Sequence, residues 1–270
     1  MQRFDERFSS TVTRGISDAG KAYLAALNRP QKQINKLDYI LQGVRNAESR
    51  PQKVLKQMMD FEEAKSVLRE IMRVKLVREN RKFIGTDAEV AIIMNLLKYF
   101  IGDPSCPYNL HKGIFLYGNT GVGKTFTMEC FKTFCSHTAT RKPFRQKKTP
   151  HICKEISKGV AAKKSPYSII DKYIKGDLFL DDLGDELSVI KVFGQDIPYM
   201  DIILNDREEA YTKGSQMTYI TSNLIPMEIK LEDGNVIADE VEVRYGERIR
   251  SRLEKQFNMI YWGGADKRRI

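Results

Sequence analysis

The feature that most restricts this chain is the octapeptide Gly118-Asn119-Thr120-Gly121-Val122-Gly123-Lys124-Thr125, which matches G-x-x-x-x-G-K-[ST]. The apolar run Gly113-Ile114-Phe115-Leu116-Tyr117 before it reads as a short buried strand, and Phe126 to Phe134 behind it reads as a helix. About 0.01 such matches are expected by chance in a chain of this length, even before the flanking strand and helix are required. Glycines let successive amide N–H groups turn inward, and a helix starting near Lys124 turns its positive dipole end to the same point. A phosphate chain is then held mainly by main-chain donors from residues 118–125. Lys124 would reach the β- and γ-phosphates, and the Thr125 hydroxyl would serve Mg²⁺.

A strand, loop and helix of this kind need a parallel sheet around them. Strand-like segments at Leu178 to Leu180 and Met217 to Thr221 flank a helical Pro198 to Ala210, with the proline in the first turn where no donor is lost. Such alternation predicts an α/β fold, a parallel sheet flanked by helices. Upstream, Ala88 to Phe100 reads as a helix stopped by Gly102-Asp103-Pro104. From Val54 to Val77 the positions Leu55, Met58, Met59, Val67, Leu68, Ile71, Met72 and Leu76 recur at helical spacing. That stripe suits either packing onto the following domain or docking of a partner. Residues 1–50 carry short apolar clusters broken by Asn28-Arg29-Pro30 and Ser49-Arg50-Pro51, which suggests helices with turns between them.

Leu178-Phe179-Leu180-Asp181-Asp182 lies 57 residues beyond Lys124, an apolar strand ending in two carboxylates. Asp181 is the candidate for the magnesium shell, and Asp182, pointing differently, is the candidate for polarising an attacking water. Met217 to Leu224 is a further apolar strand, ending in Thr221-Ser222-Asn223, where the Asn223 amide suits a place beside a γ-phosphate. Tyr245 to Leu253 supplies three arginines, Arg248, Arg250 and Arg252, on a helical segment.

Charge is distributed unevenly. The chain carries a net +10, yet residues 141–176 hold 11 basic and 2 acidic side chains while 177–270 hold 12 basic and 19 acidic. Arg141, Arg145, Lys147 and Lys148, with Tyr167 and Tyr173 nearby, suit a single nucleic-acid strand, cations tracking phosphates and rings stacking on bases. Cys106, Cys130, Cys135 and Cys153 form no C-x-x-C pair and are too irregular for a disulfide scaffold, so they read as buried or free thiols. No apolar run is long enough to span a membrane, and Met1 to Ser10 is charged where a signal peptide would be apolar. A cytoplasmic protein is expected.

Several pieces stand together in one order: Lys112 to Gly118 entering the loop, Asp181-Asp182-Leu183-Gly184, Thr221-Ser222-Asn223-Leu224, and Tyr245-Gly246-Glu247-Arg248 with Ser251-Arg252-Leu253. From about Phe83 onward the chain resembles the AAA+ ATPases of the DnaC/IstB clade, helicase loaders and transposition ATPases of bacteria and phages. The resemblance implies a P-loop NTPase domain over 83–270 without a sizeable C-terminal lid, and a helical, partner-binding region over 1–82. It implies slow, DNA-stimulated hydrolysis of Mg-ATP, with Lys124, Asp182, Asn223 as sensor 1, and Arg252 as a finger reaching a neighbouring subunit. The implied partners are further copies of the chain in the ATP state, single-stranded DNA and a replicative helicase to be delivered. The alternative is an IstB-type ATPase that stimulates a transposase. Asp182 departs from the glutamate of most AAA+ proteins. Because the chain ends at Ile270, the phosphate-sensing role falls to Arg268 or Arg269. A small-molecule phosphotransferase fits less well, since the loop starts so far into the chain and finger-like residues follow. A nucleotide-gated scaffold with little hydrolysis is a further class.

Overall fold

The computed structural model describes residues 57–192, 194–214, 216–230 and 236–267. Its elements are, in chain order, α1 (Phe61–Arg78), α2 (Asp87–Ile101), β1 (Gly113–Tyr117), α3 (Lys124–Thr138), β2 (Arg145–Lys148), α4 (Thr149–Ala161), α5 (Pro166–Ile174), β3 (Leu178–Leu183), β4 (Ile190–Val192), β5 (Gln195–Ile197), α6 (Tyr199–Thr212), β6 (Thr218–Ser222), β7 (Ile229–Lys230), β8 (Val236–Ile237), α7 (Glu240–Tyr245), α8 (Glu247–Gln256) and β9 (Phe257–Tyr261). Five strands pair in the order β2-β3-β6-β1-β9, every pair parallel. The fold is therefore the expected α/β type, a parallel sheet flanked by helices.

Every residue of β1 and of β6 is buried, as the middle of a sheet covered on both faces requires. Alternation along β1 divides the core in two. Ile114 and Leu116 join Leu68, Phe100, Phe131 and Phe134 under α1, α2 and α3. Phe115 and Tyr117 join Ile156, Ile170, Met200, Ile203 and Leu253 under α4, α5, α6 and α8. In the first layer Phe100 stacks on Phe131 with ring centres 4.5 Å apart.

Helix α1 falls within the region 1–82 expected to be helical and partner-binding. Ala64 and Leu68 of α1 lie fully inside the first core layer and Val67, Ile71 and Met72 are half-buried against it, while Met58 and Val77 stay exposed, so α1 packs onto the sheet domain with part of its apolar stripe. Asp60 caps α1 through the N–H groups of Glu62 and Glu63. The rest of the expected partner-binding region, residues 1–56, lies outside the described residues.

Arg207 of α6 is buried, and among the described residues no carboxylate is bonded to it. Its guanidinium donates to the carbonyl oxygens of Tyr173, Ile174, Gly176 and Met217 and to the Thr218 hydroxyl, at 2.8–3.1 Å. Burial pulls its pKa down to about 9. The residue therefore pins α6 to the segments that enter β3 and β6. Replacing it with Met strands several carbonyl groups at once, and the expected loss of unfolding free energy in a urea titration is about 3 kcal/mol or more.

Candidate active site

The phosphate loop is built on backbone that only glycine adopts freely. Gly118, Gly121 and Gly123 have φ of 137°, 81° and 106°. At Gly118 a Cβ would lie 2.2 Å from the Trp262 carbonyl oxygen, so the segment leaving β9 crosses directly over the loop. The first turn of α3 has neither a side-chain cap nor an acidic residue, which leaves its N–H groups and dipole directed at whatever anion the loop holds.

Lys124 is buried at the start of α3, and its Nζ donates to the carbonyl oxygens of Gly118 and Asn119, both at 2.8 Å, and to Asn223 Oδ1 at 2.9 Å. Thr125 Oγ1 donates to Asp181 Oδ1 at 2.7 Å. The Thr221 hydroxyl reaches the same oxygen at 2.7 Å, and Gln146 Nε2 reaches Oδ2 at 3.3 Å. The fully buried Asp181 carboxylate is thus oriented from three sides by α3, β6 and β2.

Asp182 behaves differently because the strand breaks pattern there. The β3–β6 register shifts between Leu180 and Leu183, and Asp182 has φ 59°, a left-handed conformation that aspartate and asparagine tolerate better than most residues. Its N–H donates to Thr221 Oγ1 at 3.1 Å, its carbonyl accepts from Thr149 Oγ1 at 2.6 Å, and its carboxylate lies 3.7 Å from Lys148 Nζ. Burial, then the neighbouring Asp181 charge, holds the Asp182 carboxyl above the usual range. A carboxylate made more basic in this way is suited to accept a proton from water.

Phosphate loop, Asp182, Asn223 and Lys148 line one cavity of about 770 Å³, within the size range of nucleotide-sized ligands. Its far wall carries Phe83, Trp262 and Lys267. Lys267 N–H donates to Gly121 O at 3.1 Å, and its ammonium pairs with Glu89 Oε1 at 2.7 Å. Burial raises the Glu89 pKa, but Lys267 and the Thr86 and Trp262 N–H groups outweigh it and leave the pKa lowered. Lys267 and Glu89 are absent from the sequence-based set. The Thr86-Asp87-Ala88-Glu89 capping box was the one available signal for Glu89. Arg268 and Arg269 lie outside the described residues.

A magnesium nucleotide fits these donors. Thr125 and Asp181 offer two oxygens beside the loop, and among the described residues no group of three His, Cys, Asp or Glu forms a protein cage. That suits an ion that keeps its waters and shares phosphate oxygens. Cys130 and Cys135 are buried on α3 with thiols pushed up to about 12 by that burial, unlike metal-binding thiolates.

The arginines of α8 do not enter this cavity within one chain. Arg252 donates to Asn205 Oδ1 on α6, Arg250 is paired with Asp239 at 2.6 Å and Glu254 at 2.5 Å, and Arg248 is exposed.

The basic segment also sorts itself. Of the residues expected to meet nucleic acid, Arg141 has its guanidinium 4.0 Å from the Tyr99 ring centre and donates to the carbonyl oxygens of Tyr99 and Leu110, contacts that brace the fold. Arg145 donates to the Lys172 and Lys175 carbonyls, Lys147 to Glu155, and Lys148 faces Asp182. Arg145 and Lys148 are nevertheless exposed, as are Lys142, Lys154, Lys158, Lys163, Lys164, Lys172 and Lys175.

Asparagine keeps the left-handed conformation at position 182 and removes only the basicity. Asp182→Asn should therefore bind Mg-ATP as the parent does and turn over at least about 100-fold more slowly, measured as phosphate release at saturating nucleotide. Parent-like turnover would remove Asp182 from the chemistry.

No family model matches the chain, and no curated protein matches it in sequence. Among solved structures it is similar to the DnaC helicase loader, at 16% identity over 67% of this chain and 93% of that one, TM-score 0.46. It is similar to DnaI at 21% identity over 72% and 93%, TM-score 0.45. Domain III of the Thermotoga maritima replication initiation protein DnaA matches at 15% identity over 66% and 63%, TM-score 0.42. Among the described residues no helix is long and apolar enough to cross a membrane.

Proposed function

We propose that the protein is an ATP-dependent helicase loader of the DnaC/IstB type, binding Mg-ATP and single-stranded DNA and delivering a replicative helicase. The observation that carries the ATPase part is the convergence of three strand ends: Lys124 Nζ bonds Asn223 at 2.9 Å while Thr125 bonds Asp181 at 2.7 Å, both at the edge of one cavity. A magnesium ion at Thr125 and Asp181 would neutralise charge on the β- and γ-phosphates. Lys124 orients the same phosphates, Asn223 holds the Lys124 ammonium and a γ-phosphate oxygen in register, and Asp182 accepts the proton of the attacking water. The loader part rests on the order of the motifs from Lys112 to Leu253.

The deciding experiment is retention of partners on the full chain with ATP and with a hydrolysis-resistant analogue, followed by identification of what is held. A replicative helicase retained with the analogue and released with ATP is the expected result. A transposase in its place would convert the reading to the IstB-type function, and retention of neither would end the loader reading.

For DNA, the exposed cations are the ones to test. Neutralising Lys158, Lys163 and Lys164 together should reduce the slope of log K against log salt for single-stranded DNA by about 0.7 per lost phosphate contact. An unchanged slope would assign these lysines to a merely solvated surface.

A further inference from the structure

The turn that carries Asp182 is fastened at its far end by a residue with no part in the chemistry above. Glu186 follows β3, and its side chain is wholly out of solvent. Its Oε2 accepts the Gly184 N–H at 2.8 Å, and the Asp185 N–H returns to the Asp182 carbonyl at 3.2 Å, so the carboxylate closes the turn from below. Its Oε1 accepts the Tyr245 hydroxyl and lies 3.4 Å from Arg244 Nη2, which also donates to the Glu186 carbonyl oxygen. Arg244 and Tyr245 are the last residues of α7. A single residue, Gly246 with φ 82° and ψ 158°, joins them to α8, the helix of Arg248, Arg250 and Arg252. One buried carboxylate therefore links the backbone that aims Asp182 to the corner that aims the arginine helix.

We infer that Glu186 is a positioning residue for hydrolysis, setting the Asp182 turn according to where α7 and α8 stand. Resting on the ATPase reading above, the inference adds a regulation to that site. A buried carboxylate with a backbone donor, a hydroxyl and a guanidinium transmits a shift because it cannot lose one partner without leaving a charge unsatisfied. When α8 is drawn toward a neighbouring subunit by engagement of its arginine, Tyr245 and Arg244 move with it, and the Gly184 N–H must follow through Glu186. The subunit that lends an arginine thereby alters the readiness of its own site.

Glu186→Gln and Tyr245→Phe, singly and together in the full chain, test this link. Each single variant should bind Mg-ATP with a Kd within twofold of the parent, while single-turnover hydrolysis of the bound nucleotide slows tenfold or more. The double variant should be no slower than the slower single one, because the two side chains form one link. A role confined to stability would lower the fraction of binding-competent protein and leave the rate per bound nucleotide unchanged. That result, or effects that multiply in the double variant, would overturn the inference. Amide hydrogen exchange on the unaltered protein gives a test that needs no variant: on going from ADP to a hydrolysis-resistant ATP analogue, residues 183–186 and 244–252 should change protection together. A change in the first segment without the second would overturn it. An unaltered protein that binds no Mg-ATP would overturn the ATPase reading and this inference with it, whereas normal hydrolysis by both variants rejects the inference alone.

Discussion

Lys124→Ala is expected to abolish Mg-ATP binding at millimolar nucleotide and to lower phosphate release by at least about a thousandfold, without unfolding the protein. The Lys124 ammonium donates to two backbone carbonyls and to the Asn223 amide oxygen. Of these acceptors Asn223 lines the cavity, and water entering there can take the place of the ammonium when it is removed. Removing a desolvated charge offsets part of the lost hydrogen bonding, and the expected change in unfolding free energy is within about 1 kcal/mol. Calorimetric titration with Mg-ATP, phosphate release and a urea titration on the same preparation separate the two effects. Undiminished hydrolysis in a folded variant would remove the phosphate-loop reading.

Arg252→Ala should retain nucleotide binding and lose most turnover, and mixing it with Lys124→Ala subunits should restore part of the activity. Asp181, Asp182 and a triphosphate concentrate negative charge, a magnesium ion offsets only part of it, and hydrolysis spreads more onto the transferred group. A further cation is needed, and Lys124 is already engaged. Within one chain Arg252 is held by Asn205 and Arg250 by two carboxylates, and none of the three arginines lines the cavity. Lys148 and Lys267 line the cavity but face Asp182 and Glu89, so we propose that the further cation comes from another subunit, where it is worth on the order of a thousandfold in rate. Arg252 is chosen from its place in Ser251-Arg252-Leu253, and its bond to the neutral Asn205, with the Glu208 carboxylate near, is easier to exchange for a phosphate oxygen than the two carboxylate pairs of Arg250. A mixed assembly contains interfaces that pair an intact loop with an intact arginine. No recovery in assemblies shown to contain both subunits would assign Arg252 to its own chain.

Much of the site was legible because it depends on spacing along strands. The runs at 113–117, 178–182 and 217–224 announce themselves by apolar residues ending in Gly, Asp or Asn, and parallel pairing brings those ends to one edge. The polar edge strand β2 was not legible. Arg145-Gln146-Lys147-Lys148 has no apolar alternation, and only its pairing to β3, Arg145 opposite Leu178 and Lys148 opposite Asp181, makes it a strand. The same reason hid Gln146 as a donor to Asp181. The stacking of Arg141 on Tyr99 was not legible either, because composition cannot distinguish a cation facing solvent from one laid against a ring of the fold. Glu186 was invisible for a further reason: its partners at 244–245 lie 58 and 59 residues away.

The crossing of Trp262 over Gly118 has a temporal meaning. Strand β1 lies between β6 and β9, and the phosphate loop that follows it is braced by Trp262 N–H on Tyr117 and Lys267 N–H on Gly121. On a ribosome, the loop emerges about 140 residues before the segment that braces it, and the intervening chain must thread the sheet in between. Nascent chains that stop short of residue 262 lack that brace, so the loop gains its full support only once the segment after β9 has been made.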